Sequence, residues 1–445
     1  MKRPPFFVVL VVAVAASMST WFYANYILRA QQIADAAAHQ RPRGNLSDLY
    51  PRWLGARELL KHGRNPYSPE ITREIQQGYY GRPLDPSRAD DPHSNEPRSD
   101  EPKDQQAFAY PAYVVFLLAP TVDFPFDKVQ IAFRWLLIGL AVTTIFLWLR
   151  VMRWNLSCWW ALVLALLMVG WLPMVQGIKL QQLSLLVAGF LAACAACLSG
   201  GWLFLAGGLL ALATIKPQLA WPVVLWLLIW TISDWRSRWR LAFGFGLVML
   251  LLLGGAELVL PGWLRMFFAA IQQYHRYTQN QSVLAVLFGS ILGRILEVLC
   301  FLLCAFSLRA ARRKPATSAA FGRSVGLVLA LTVVLVPMFA PYNQVLLAPS
   351  ILLLLRSQIS GQPILPAIRV ARAVGAVLLL WPWIATLALC AAYLWLTPEL
   401  RQRVYMLPFY SNFMLPVFVF GLALLDTWMN SDPSMPNPSQ ANASI

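Results

Sequence analysis

The first residue able to do chemistry is Asp48, in the run Ser47-Asp48-Leu49-Tyr50-Pro51-Arg52. A carboxylate can take a proton from a hydroxyl group. It also heads a stretch, residues 47–62, that reads as an amphipathic helix: Ser47 or Asp48 can cap it, and Pro51 is tolerated in its first turn. Leu49, Trp53, Leu59 and Leu60 then supply its apolar side. The dipole of such a helix favours an ionised group at its start, so capping explains Asp48 better than catalysis does when the residue is taken alone. Lys216 is the second. It stands between two short apolar stretches, where a charge is costly and usually functional. A lysine reaching along its stem to the membrane surface is the plainer alternative. Arg294 and Glu297 lie three apart inside another apolar run, a spacing that suits an internal ion pair as well as a ligand contact. His275 can be an interfacial residue or a contact for a polar substrate.

The elements that must position these residues are set by composition. The chain has 445 residues, 58% of them hydrophobic and 13% charged, about half the charge of a soluble domain. Residues 28–109 hold 12 of the 20 acidic and 12 of the 36 basic residues. The rest is apolar stretches near the roughly 20 residues needed to cross a bilayer, joined by short basic connectors. These predict an all-α polytopic membrane protein with about 12 spans (10–13), near 6–27, 127–149, 158–176, 180–199, 202–216, 218–233, 241–260, 283–308, 324–340, 342–355, 373–396 and 409–428. The first is an uncleaved anchor, and residues 110–120 are too short to cross. With the N-terminus inside, short inner connectors carry 15 Lys and Arg and short outer connectors 6. The positive-inside bias therefore puts both termini in the cytoplasm and the loop 28–109 outside. Those connector charges account for the net charge of +16 without nucleic acid. Within the loop, residues 81–106 have no apolar period and read as a mobile tract. Its Asp90, Asp91, His93 and Glu96 could ligate a metal but read better as a solvated charged run. All six cysteines sit in apolar stretches, so no disulfide framework is implied, and Cys194 and Cys197 read as packing residues. Residues 1–429 form one transmembrane domain, and the polar tail 430–445 reads as disordered.

Order and spacing of short motifs add a family likeness. Asp48-Leu49-Tyr50 is followed by Ala56-Arg57-Glu58-Leu59-Leu60, then Asn65-Pro66-Tyr67, Phe108-Ala109-Tyr110-Pro111 and Leu118-Ala119-Pro120. Downstream come Gln181-Gln182-Leu183-Ser184, Ala206-Gly207-Gly208-Leu209 leading to Ile215-Lys216-Pro217, Asn280-Gln281-Ser282 with Arg294, and Pro341-Tyr342-Asn343-Gln344. This run resembles glycosyltransferase family 87, the polyprenol-phosphate-mannose-dependent α-(1→2)-mannosyltransferases of the GT-C superfamily, over roughly residues 1–360. The chain departs from the family pattern in four places. Ala112 replaces a second proline, Gln181 and Ser184 stand in a G-Q-x-N motif, and the histidine expected after Pro341 is absent.

The resemblance implies a GT-C-type bundle and an inverting glycosyltransferase acting outside the cytoplasm of a multi-pass cell (inner) membrane protein. It would move a hexose, mannose by family likeness, from a polyprenyl-phosphate donor to a glycolipid or polysaccharide acceptor. Asp48 would be the general base. Lys216, Arg52, Arg276, Arg294 and Lys179 are the candidates to stabilise the departing phosphate. Tyr50, Tyr110, Gln182, His275, Asn280, Asn343 and Gln344 are candidates for sugar or acceptor contacts, with interfacial anchoring the alternative for the two tyrosines. No cofactor is implied; a divalent metal is compatible but not indicated. A lipid or solute transporter, or a non-catalytic subunit of a cell-envelope glycan assembly, are the rival classes.

Overall fold

The computed structural model describes residues 4–40, 43–84, 102, 104–278, 281–337, 339–359 and 366–430. Asn280, the charged run Asp90–Glu96 and the tail beyond Asn430 lie outside them. The described chain is helical, with no strand. Helix α1 (Phe6–Trp21) runs through a π-helical turn into α2 (Arg29–His39). The chain after α2 folds into α3 (Tyr50–His62) and α4 (Pro69–Tyr80), ended by Gly63 and Gly81 in left-handed conformation. A short α5 (Val114–Leu118) packs on α3 and leads into α6 (Phe126–Val151). Next, α7 (Cys158–Gly170) and α8 (Leu172–Lys179) form a pair bent by 63° at Trp171. Then come α9 (Ser184–Ser199), α10 (Leu203–Ala213), α11 (Pro217–Ile232), α12 (Trp235–Val259), α13 (Trp263–Thr278), α14 (Val283–Phe288), α15 (Ser290–Leu308) and α16 (Ala319–Leu335). A 3-10 turn at Pro341–Leu347 precedes α17 (Ala348–Ile359), α18 (Pro366–Ala392), α19 (Pro398–Val404) and α20 (Leu415–Met429).

Each of the twelve apolar stretches contains a helix, but the lengths differ from expectation. Six helices are long and apolar enough to cross a membrane, and the bent pair makes a seventh if counted as one span. α9, α10 and α11 have 16, 11 and 16 residues, which at 1.5 Å per residue reach ~24, ~16 and ~24 Å against a hydrocarbon core of ~30 Å. Hydropathy alone does not separate a buried apolar helix from one that crosses lipid. Small residues let these short helices pack closely. A Cβ on Gly207 would meet the Leu241 carbonyl oxygen at 2.2 Å, and one on Gly244 the Phe204 carbonyl oxygen at 2.2 Å. Backbone-to-backbone contact of α10 with α12 therefore requires glycine at both. The tract expected to be mobile is anchored at both edges. Leu84 is buried and its N–H donates to Gln76 Oε1 at 3.0 Å. At the other edge the Asp104 and Gln106 side chains are hydrogen-bonded into the site described next.

Candidate active site

Asp48 does not cap α3. The helix begins at Tyr50, its N-cap Leu49 makes no side-chain bond, and the Asp48 carboxylate faces elsewhere. Tyr79 of α4 donates to Oδ1 at 2.9 Å and Gln106 Nε2 at 3.3 Å, while Gln182 Nε2 donates to Oδ2. Three donors from three segments converge on one carboxylate, which is 7% exposed. The backbone holds it there. Asp48 N–H donates to the Leu180 carbonyl at 2.8 Å, and Ser47 Oγ donates to Gln181 Oε1 at 2.6 Å. Gln181 turns the chain after α8 at φ +52°, the left-handed region that disfavours a side chain. Its own Nε2 secures the turn by donating to the Ile178 carbonyl at 2.9 Å.

Gln182 joins this carboxylate to a cation. Its Oε1 accepts from Lys216 Nζ at 3.0 Å while its Nε2 donates to Asp48. Lys216 also donates to Ser184 Oγ at 2.7 Å, and that hydroxyl donates to Asn343 Oδ1 at 2.8 Å. The Tyr342 ring centroid lies 5.1 Å from Nζ. Lys216 is 6% exposed, and among the described residues no carboxylate forms an ion pair with it. A buried ammonium held by neutral acceptors keeps its charge available to an anion. Arg52 supplies a second cation: it donates to the Asp48 backbone carbonyl at 2.7 Å and lies 4.2 Å over the Tyr110 ring.

A second carboxylate, Asp104, stands beside the first. Gln106 Nε2 donates to its Oδ2 at 2.8 Å and Tyr274 of α13 to its Oδ1 at 2.9 Å, so one amide serves both acids. Burial, and then the Asp48 charge, raise the Asp104 pKa. Burial and Asp48 also push the Tyr79 phenol well above its usual range, so Tyr79 is a neutral donor. Among the described residues no three His, Cys, Asp or Glu side chains are grouped to hold a metal ion.

The sequence candidates separate on this geometry. Asp48, Arg52, Tyr110, Gln182, Lys216 and Asn343 come together. Gln344 is buried one position further on, donating to the Asn412 carbonyl at 2.7 Å. Tyr50 packs between Trp53 and Phe126 with its hydroxyl end against Gly78, away from the carboxylate. Lys179 is half-buried with Arg134 as its near charge. His275, Arg276 and Arg294 are exposed, and Glu297 accepts from Ser282 Oγ, with no ion pair to Arg294. Sequence reasoning assigned no role to Tyr79, Asp104, Gln106, Ser184, Tyr274 or Tyr342. Ser184 and Tyr342 stand inside motif runs. Ser68-Pro69-Glu70 signals the start of α4, since Ser68 Oγ does accept from Ile71 N–H, but nothing local says that its last turn reaches Asp48. Asp104 and Gln106 are hidden in a Pro- and charge-rich run.

The profile of glycosyltransferase family 87 matches residues 108–341, more than half of the chain. The chain belongs to glycosyltransferase family 87. It is a glycosyltransferase with several membrane-spanning helices. The family 87 match takes in Tyr110, Gln182, Ser184, Lys216 and Tyr274, while Asp48, Arg52, Tyr79, Asp104 and Gln106 precede it. No curated protein and no solved structure matches the chain.

Proposed function

We propose that this glycosyltransferase moves a hexose, mannose by family likeness, from a polyprenyl-phosphate donor to a hydroxyl of a glycolipid or polysaccharide acceptor. The site would face outward from a cytoplasmic-type membrane, with both termini inside. The Gln182 amide carries this reading, because it joins a carboxylate on one side to an ammonium on the other. An inverting transfer needs those two functions on opposite sides of the anomeric carbon. Asp48 takes the proton of the acceptor hydroxyl as its oxygen bonds to that carbon. The bond from carbon to phosphate oxygen breaks in the same displacement, and the electron pair leaves on the phosphate, which Lys216 and Arg52 stabilise. The proton on Asp48 then passes to solvent or to the released lipid phosphate. Tyr110, Tyr274 and Tyr342 offer ring faces and hydroxyls for the sugars. Lys179, Arg276 and Arg294 take no part.

The test is transfer of radiolabelled mannose from polyprenyl-phosphate mannose by membranes holding Asp48→Asn at wild-type levels. Asn keeps the size and the acceptor oxygen but cannot take the proton, so transfer should fall about 100- to 10,000-fold. Wild-type transfer by this variant would sink the assignment of the base. An unlabelled acceptor pool with the wild-type protein, across a panel of donor sugars, would sink the donor class.

A further inference from the structure

The end of the bundle opposite Asp48 carries a second feature. A narrow cleft of about 130 Å³ opens between α11, α15 and α16. Its walls are apolar, formed by Trp226, Ile229, Phe301, Ala305 and Leu331, and only its mouth is charged, by Arg309 and Arg312. Both arginines are exposed. They belong to Arg309-Ala310-Ala311-Arg312-Arg313-Lys314, four cations in six residues, and no acidic residue occurs in the sequence between Glu297 and Glu399.

This basic turn is rigidly held. The buried Arg238 guanidinium lies 3.8 Å over the Trp230 ring and donates to the carbonyls of Trp230 at 2.7 Å and Arg312 at 2.9 Å. It also reaches the carbonyls of Arg313 and Lys314, each at 3.3 Å. The carboxylates at this end are engaged elsewhere: Asp234 with Arg238 at 3.6 Å, and Asp426 with Arg372 at 3.8 Å. Among the described residues neither Arg309 nor Arg312 has an acidic partner. An apolar slot open at the surface of the helix bundle, with a pair of arginines at its mouth, is complementary to an amphiphile. That amphiphile has a hydrocarbon chain and a phosphodiester at the membrane surface.

We propose that this cleft holds an anionic phospholipid, one acyl chain lying between α11, α15 and α16 and its phosphodiester seated on Arg309 and Arg312. The site is independent of sugar transfer: its wall on α11 runs from Pro222 to Ile229, roughly 9 to 20 Å beyond Lys216 along that helix, with the arginines at the far end.

Native mass spectrometry of the full-length protein, delipidated in detergent and titrated with dioleoyl phosphatidylglycerol or dioleoyl phosphatidylcholine, tests it. One phosphatidylglycerol should be retained at concentrations where phosphatidylcholine is not. Arg309→Gln with Arg312→Gln should weaken that retention by about ten- to thirty-fold, each cation near a membrane surface being worth about fivefold. Ala305→Trp keeps both charges and fills the slot from an exposed position; it should weaken retention as well. Unchanged transfer activity in each variant certifies the fold. Equal retention of the two lipids, or full retention by the double arginine variant, overturns the proposal. So does displacement by soluble glycerophosphoglycerol at the same concentration, which would mean a phosphate site without a lipid slot, or tighter retention of polyprenyl phosphate.

Discussion

Lys216 is an ammonium enclosed by an amide, a serine hydroxyl and an aromatic ring. None of these neutralises it, which is unusual, since a buried charge without a counter-ion costs several kcal/mol. An interfacial lysine would extend to water, and this one does not. If its function is to meet the leaving phosphate, Lys216→Met keeps the stem and removes the charge, and transfer should fall about 100- to 1000-fold. Turnover near wild type in membranes would move the phosphate role to Arg52. Asp104 allows a prediction of a different kind. Burial and the Asp48 charge raise its pKa, so the folded state binds that proton more tightly than the unfolded chain does. Stability from this group is then present below the ordinary carboxylate range and is lost as pH rises through the raised value. Asp104→Asn cannot titrate, and its side-chain oxygen can still accept from Tyr274. Thermal unfolding between about pH 4 and pH 7 should show a flatter pH dependence for the Asn variant, with its gain over wild type largest at the upper end. Parallel curves would show that Asp104 titrates normally. None of this was visible in the sequence, where Asp104 is one more acid in a charged run, whereas Lys216 stood out between two apolar stretches and Asp48 at the head of the motif run.

At the scale of elements, the site depends on one turn, from Ile178 to Ser184. Gln181 occupies it at φ +52°, in the position where the motif resembled by the sequence has glycine, and the backbone explains that preference. A residue with a side chain is strained there by about 1–2 kcal/mol. Gln181 offsets the strain by tying Ser47, Gln130 and Ile178 together at 2.6, 3.2 and 2.9 Å. Two variants separate these effects. Gln181→Ala loses the bonds and keeps the strain; Gln181→Gly loses the bonds and the strain. The expected order of melting temperature in detergent is wild type, then Gly, then Ala, with Gly above Ala by about 1 kcal/mol. Equal stability of Ala and Gly would mean that the turn is not left-handed. The elements that sequence reasoning passed over, α4 and α13, share a physical character: both are amphipathic helices that mix polar and apolar residues along their length. Their buried sides bring Tyr79 to Asp48 and Tyr274 to Asp104. Such helices have no long apolar run to announce them, and their partners are 31 and 170 residues away in the chain.

Across the whole molecule, the apolar stretches were legible in order and approximate place, because a run of apolar residues is a local property. Their lengths were not, because whether a helix of 11 to 17 residues crosses lipid or lies inside the bundle depends on its neighbours. The same limit applies to charge. The sequence could only count connector cations, whereas the structure gathers them: Arg238 binds the carbonyls of Arg312, Arg313 and Lys314 directly, so the connectors 234–240 and 309–318 form one basic end. Asp48, the turn 180–184, Lys216, Tyr274 and Tyr342 meet at the other. The two ends are separated by α11 and α15, and the proposed function sets them toward opposite faces of the membrane, so that one orientation decides both. On the proposed orientation, which follows the positive-inside bias, the basic end faces the cytoplasm. A reporter active only outside the cytoplasm should therefore work when fused at residue 95 and be silent at residue 313. The reverse pattern would turn the Asp48 end toward cytosolic nucleotide sugars and remove the case for a lipid-linked donor, while leaving the geometry of the carboxylate, the amide and the ammonium as it is.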